Sequence, residues 1–183
     1  SGAREQARGP IGEEQGALIT ITGDPEPQLM SDLDQARVGK ARQIKFAEAH
    51  LRNVMRRRIN WTIVSYPNEG WAQTVFGEPD LERLWKDVEH SVRLDEPDPV
   101  AAWNAHIERL GERCRSLNEH DFDAVRFHGP GTDLTIGLNA KSFWRSAQSE
   151  TSSGRRHVPN VPTEEVFTTP DWRRAEGTVR STM

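Results

Sequence analysis

The chain has 183 residues, enough for one large domain or parts of two, and its 24 Lys and Arg against 28 Asp and Glu leave a net charge of −4. That balance argues against a general nucleic-acid binder, whose affinity rests on a basic surface. It also argues against an acidic disordered tail, because the charge is small and mixed in sign. Leu, Ile, Val and Phe make up only about a fifth of the residues, near the floor for a globular protein. The expectation is a thin core, or one completed by something outside the chain.

No apolar run approaches the roughly 20 residues that a membrane-spanning helix needs, and the first residues, Ser1-Gly2-Ala3-Arg4, hold no apolar stretch of a signal peptide. The single cysteine, Cys114, cannot form an internal disulfide, so a reducing cytoplasm is the expected location. Both ends read as cut. No initiator Met is present, Ser1-Gly2 reads as a cloning remnant, and residues 176–183 read as a strand interrupted mid-course. The expectation is a fragment of a longer protein.

Residues 1–16 show no clear period and read as a loose end. The β-branched run at 17–22 predicts a buried strand closed by Gly23-Asp24-Pro25. A long helix is predicted over 28–58. Ile44, Ala47, Leu51 and Val54 share one face of it, and Gly39 is the place where it would break. Residues 61–67 read as a second strand. Strand, helix, strand at this spacing is a βαβ unit with parallel strands. A short helix follows up to Gly77, then two helices opened by Asp80 and by Asp98-Pro99. In the latter, Val100, Trp103, Ile107, Leu110, Cys114 and Leu117 recur at helical spacing, as a core-packing stripe does. From Phe122 the period becomes two. Residues 124–128 and 134–138 read as a hairpin with a long loop, 146–156 as a mobile surface loop, and 157–162 as an extended edge segment. Short strands are predicted at 165–170 and from 178 onward. The fold class is therefore α/β, a fragment of a two-domain protein. Its first part is of βαβ type, followed by helices and an antiparallel or mixed β part, with the boundary between 79 and 122.

The motifs of zincins, dinucleotide folds, phosphate loops and serine-hydrolase elbows are absent. The histidines are scattered, and His50, His90 and His106 read as solvated or partly packed. Arg56-Arg57-Arg58 reads as cations at a helix C-terminus rather than a phosphate contact. Asp133 reads as an Asx cap of its own turn, with an active-site carboxylate as the competing reading. Glu164-Glu165 stands apart. On a strand, two adjacent carboxylates face opposite sides, and the inward one would need a charge partner or a metal.

Four ordered stretches then carry a resemblance. They are Val64-Ser65-Tyr66-Pro67-Asn68-Glu69-Gly70-Trp71-Ala72, Asp98-Pro99-Val100-Ala101-Ala102-Trp103, the run 127–138 around Gly129-Pro130-Gly131-Thr132-Asp133, and Pro159-Asn160-Val161-Pro162-Thr163-Glu164-Glu165-Val166-Phe167-Thr168-Thr169-Pro170. From about Ala17 onward the sequence resembles the thermophilic metalloaminopeptidases, peptidase family M29. The resemblance implies two α/β domains. Residues 1–79 would be the C-terminal half of the N-terminal one, and 80–183 a helical connection and the first part of the metal-binding catalytic one. It implies two divalent metal ions (zinc, cobalt or magnesium), peptide substrates and a homodimer, with neither nucleic acid nor membrane as partner. In relatives the glutamate of the Asn-x-Pro-x-x-Glu segment is a metal ligand and the residue before it can be glycine. The ligand therefore maps to Glu165, with Glu164 outward. The other family ligands (a second Glu, two His and an Asp) and a catalytic Tyr lie downstream, so the resemblance places no catalytic residue within these 183 residues. The expectation is a metalloaminopeptidase parent whose fragment is itself inactive. The alternative is a non-catalytic scaffold or assembly module.

Overall fold

A computed structural model describes residues 16–41 and 44–181. The loose end expected before Gly16 and the last residue of the expected terminal strand, Thr182, lie outside these residues. The chain forms two compact units, one from Ser1–Ala102 with Gln148–Thr163, the other from Trp103–Ala147 with Glu164–Met183. Both parallel and antiparallel sheets are present, so the α/β class expected from the sequence holds. Among the described residues no helix is long and apolar enough to cross a membrane.

The first unit is built on a parallel pair. Strand β1 (Ala17–Thr22) lies beside β2 (Asn60–Ser65), in register from Ala17 opposite Asn60 to Thr22 opposite Ser65. Parallel neighbours need a crossover, and helices supply it. The crossover is not the single helix expected over 28–58. After Pro25 and Pro27 the chain makes i,i−3 turns through Leu33. Only at Asp34, whose carboxylate accepts the Ala36 N–H at 2.8 Å, does α1 (Gln35–Lys40) begin; α2 (Ile44–Met55) follows. The prolines remove amide donors, so the first helical ladder has to wait for a side-chain cap. Gly39 lies within α1 rather than at a break. The stripe predicted for this region is not buried: Ile44, Ala47 and Leu51 are exposed and Val54 is half-buried.

Helix α2 ends in a Schellman pattern. The Arg57 N–H donates to Val54 O and the Arg58 N–H to Asn53 O, both at 2.9 Å, and Arg57 takes φ +54° where glycine is usual. Its side chain explains the choice. Nε donates to Glu150 O at 2.7 Å, Nη2 to Thr151 O at 3.3 Å, and Arg57 O accepts the Ser152 N–H at 2.7 Å. These bonds hold a small hairpin, β5 (Ser149–Glu150) against β6 (Arg156–His157), in which Thr151 is buried and its hydroxyl accepts the Arg155 N–H. The loop expected at 146–156 is therefore a tied hairpin, and Arg57 is a structural anchor as well as a dipole partner. Strand β7 (Asn160–Val161) then pairs in parallel with Ile63 and Val64 of β2, giving the order β1-β2-β7 and the edge position expected for this segment.

Two further helices complete this unit. Asn68 caps α3 (Glu69–Phe76), which ends at Gly77 with φ +78°, and Asp80 caps α4 (Leu81–Ser91). Gly70 is dictated by space, since a Cβ there would stand 1.9 Å from Pro25 O.

Helix α5 (Pro99–Glu119) opens where Asp98 accepts the Ala101 N–H at 2.9 Å. Its section in the second unit buries His106, Leu110 and Cys114 at four-residue spacing. The sheet of that unit has the order β3-β4-β8, formed by β3 (Ala124–Gly129), β4 (Thr132–Leu138) and β8 (Pro170–Val179). The turn between β3 and β4 is tight, not the long loop expected, because Gly131 supplies φ +72°. Register puts Val125, Phe127, Leu134, Ile136 and Ala175 on one face, and Arg126, His128, Asp133 and Glu176 on the other. Residues 165–169, expected as a strand, make one bridge, Phe167 with Arg145. The last strand starts earlier than expected, at Pro170.

Two stability predictions follow from this geometry. Gly70→Ala should destabilise the protein by more than about 2 kcal/mol, because the clashing atom is backbone. Arg57→Ala loses the hairpin bonds and keeps the left-handed strain, whereas Arg57→Gly loses the same bonds and relieves that strain. Urea denaturation should rank Gly above Ala at position 57 by about 1 kcal/mol; the reverse order would disprove the left-handed strain at this position.

Candidate functional site

Residues 164–169 cross the second unit as an irregular segment held at several points. The Arg145 N–H donates to Phe167 O at 2.8 Å and the Phe167 N–H to Arg145 O at 2.9 Å. Near its end the Asn139 N–H donates to Thr169 O at 3.1 Å. The strand alternation expected for Glu164 and Glu165 does not arise, because only one bridge forms here. Both carboxylates are exposed, and the inward burial expected for Glu165 is absent.

What organises the pair is hydrogen bonding. Oε2 of Glu165 accepts the backbone N–H of Glu164 at 3.0 Å. Oε2 of Glu164 lies 3.3 Å from Nε2 of His106. A carboxylate only accepts, so Nε2 carries the proton in this contact. His106 is 5% exposed and its ring meets Trp103 edge-on, with centroids 5.5 Å apart. Reading it as solvated or partly packed thus underestimates its burial. The sequence carried a signal: His106 shares the i, i+4, i+8 line with Leu110 and Cys114, the most buried line of α5.

The same helix holds a neighbouring loop. The Asn118 amide accepts the Trp144 N–H at 2.7 Å and donates to Trp144 O at 3.1 Å. Nothing in the local pattern singles out Asn118, since its partner is 26 residues away.

Other candidates resolve as structural. Asp133 does not cap its own turn; its two oxygens accept from Arg126 Nε and Nη2, each at 2.9 Å, across the hairpin. That guanidinium holds the Asp133 carboxyl below its ordinary range. Asp123 is lowered in the same way by Arg174, and Asp95 by His90, whose own imidazole is raised by the pairing. His157 goes the other way: burial pushes its imidazole down.

In the first unit a cleft of about 270 Å³ opens at the carboxyl ends of β1 and β2, between Asp24, Pro27, Trp71 and Thr74. Its hydroxyls at Thr22 and Ser65 lie 3.1 Å apart and bond each other, and Thr22 also donates to Val64 O.

Among the described residues no group of three or more His, Cys, Asp or Glu side chains could hold a metal ion. An exposed, hydrogen-bonded carboxylate such as Glu165 suits a divalent cation as one ligand, and a zinc site takes about four. The donor therefore fits in kind as one corner of a site and is not a centre by itself.

The model for the thermophilic metalloprotease (M29) family matches residues 3–183. Aminopeptidase T of Thermus aquaticus is 41% identical over 171 residues, covering 90% of this chain and 42% of that protein. Aminopeptidase PepS of Streptococcus thermophilus is 42% identical over 130 residues, 68% of this chain and 32% of that protein. The solved structure of wild-type AmpT from Thermus thermophilus superposes with a TM-score of 0.85 at 34% identity, over 98% of this chain and 45% of that one. The chain thus spans about two-fifths of the length of these aminopeptidase T relatives.

The Asp133 pairing has a pH signature. With its folded pKa below 3.8, the carboxylate adds stability that is present above pH 3.8 and fades as the pH falls through the lowered value. In Arg126→Ala the Asp133 carboxyl should titrate back near 3.8, read by carboxyl-carbon NMR; an unmoved titration would show that the guanidinium is not the cause.

Proposed function

We infer the function from an established premise: the chain belongs to the thermophilic metalloprotease (M29) family. We propose that the full-length protein is a metal-dependent aminopeptidase, removing N-terminal amino acids from peptides, and that Glu165 is one of its metal ligands. The likeness that runs from residue 3 to residue 183 carries this reading, because it takes in the Asn160-to-Glu165 segment. In this reading residues 1–79 belong to an N-terminal α/β domain and 80–183 lead into the catalytic one.

Glu165 would hold one of two divalent ions, zinc, cobalt or magnesium, and the other ligands would come from outside the 183 residues. When bound, such a pair supplies Lewis-acid polarisation of the scissile carbonyl and an acidified water as nucleophile. This chain's part is to hold one carboxylate in place. Backbone bonds at Phe167 and Thr169 fix the segment, and the Glu164 N–H fixes one oxygen of Glu165. The remainder of the protein would also cover apolar side chains that stand in solvent here, among them Trp172, which is 81% exposed. A homodimer and a cytoplasmic setting complete the proposal; a buried free thiol at Cys114 suits the latter.

Two measurements test the proposal. In the full-length protein Glu165→Gln should lose at least about tenfold in zinc affinity by chelator competition, with the thermal midpoint of the metal-free protein unchanged. Wild-type zinc affinity in that variant would refute the ligand assignment and favour a non-catalytic scaffold. The isolated 183 residues should retain no stoichiometric metal after gel filtration. A chelator-sensitive aminopeptidase activity from them would overturn the claim that the remaining ligands lie elsewhere.

A further inference from the structure

We propose that His106 and Glu164 are positioning residues for the Glu165 carboxylate. This inference rests on the reading of Glu165 as a metal ligand. The three residues form a chain of contacts within the second unit. His106 is immobilised in α5, buried and set edge-on against Trp103. Its Nε2 reaches Oε2 of Glu164 at 3.3 Å. The backbone N–H of the same Glu164 donates to Oε2 of Glu165 at 3.0 Å. Side chain and amide of one residue are thus each held, the one by a packed helix and the other by the next carboxylate.

The arrangement restricts Glu165 in two ways. Tethering the Glu164 side chain to α5 limits rotation of the peptide that carries its N–H. That N–H then selects the carboxylate orientation in which Oε2 points back along the chain. A ligand whose rotamer is set before the metal arrives loses less freedom on binding. This is the role that outer hydrogen-bond partners play around metal ligands, and removing them costs 10- to 100-fold in metal affinity. The Glu164 carboxylate also satisfies the buried His106 donor, so it contributes to folding as well as to the tether.

The test uses the full-length protein, zinc as the probe, affinity by chelator competition, and the thermal midpoint of the metal-free form. Glu164→Ala should bind zinc about tenfold more weakly, with some fall in the metal-free midpoint because the buried His106 donor loses its acceptor. Glu164→Gln keeps an acceptor for Nε2 and should stay within about twofold of wild type. His106→Phe keeps an aromatic ring beside Trp103 but removes the donor. It should weaken zinc binding as Glu164→Ala does, and the double variant should be no weaker than either single one. Wild-type affinity in Glu164→Ala, alongside lost zinc in Glu165→Gln, would overturn the positioning role and leave the ligand reading standing. Equal losses in Glu164→Ala and Glu164→Gln would also overturn it, by making the Glu164 charge itself the ligand. Zinc affinity that follows the metal-free midpoint across Glu164→Ala, Glu164→Gln and His106→Phe would overturn it in favour of a structural role. Wild-type affinity in Glu165→Gln would remove the ligand reading and this inference together.

Discussion

One buried line along one helix organises the second unit. His106, Leu110 and Cys114 lie at four-residue spacing on α5 and leave solvent together. Two of the three are apolar and behave as core. The third carries a ring nitrogen that cannot be buried without an acceptor, and the Glu164 carboxylate meets it. The need of one buried imidazole thereby determines where residue 164 stands, and with it the start of the 164–169 segment. Further along the helix, Asn118 closes both of its amide bonds on the Trp144 backbone. Polar loops that have no sheet ladder of their own are thus hung from a rigid helix.

The first unit solves a different problem. Its parallel strands leave β2 with a second edge, and the chain fills it from about a hundred residues downstream, with Asn160 opposite Ile63. A two-residue strand contributes little alone. The hairpin just before it is what brings it into place, and that hairpin is tied to Arg57, a residue in a left-handed conformation after α2. The strain at Arg57 is offset by bonds that only a long cationic side chain could make from that spot.

These two anchors mark the limit of what the sequence discloses. The positions of both βαβ strands, the caps at Asp80 and Asp98, and the Leu110–Cys114 part of the α5 stripe are legible because each signal lies within about a turn of helix or a few strand residues; the exposure of Ile19, Ile21 and Val100 is not. The resemblance, resting on ordered motifs, located the family and the candidate ligand. Arg57, Asn118 and the pairing of β7 depend on partners dozens of residues away, and no periodicity reports them. The single helix expected over 28–58 failed where prolines deferred the first hydrogen-bonded turn to Asp34. The alternation expected of Glu164 and Glu165 requires a ladder, and a lone bridge at Phe167 sets none. The histidine that matters for them was legible only in part: its place on the buried line of α5 could be read, its acceptor could not.

That failure bears on how a ligand carboxylate can be presented. A glutamate on the inner face of a regular strand would be desolvated before any cation reached it, and an unpaired charge there is costly. An irregular segment avoids this cost. It leaves Glu165 in water while fixing it through main-chain bonds at Phe167 and Thr169 and through the Glu164 amide. Rigidity here comes from the backbone and from α5 rather than from burial. A carboxylate held in this manner stays accessible, and its orientation is set by neighbours that need not touch the ion.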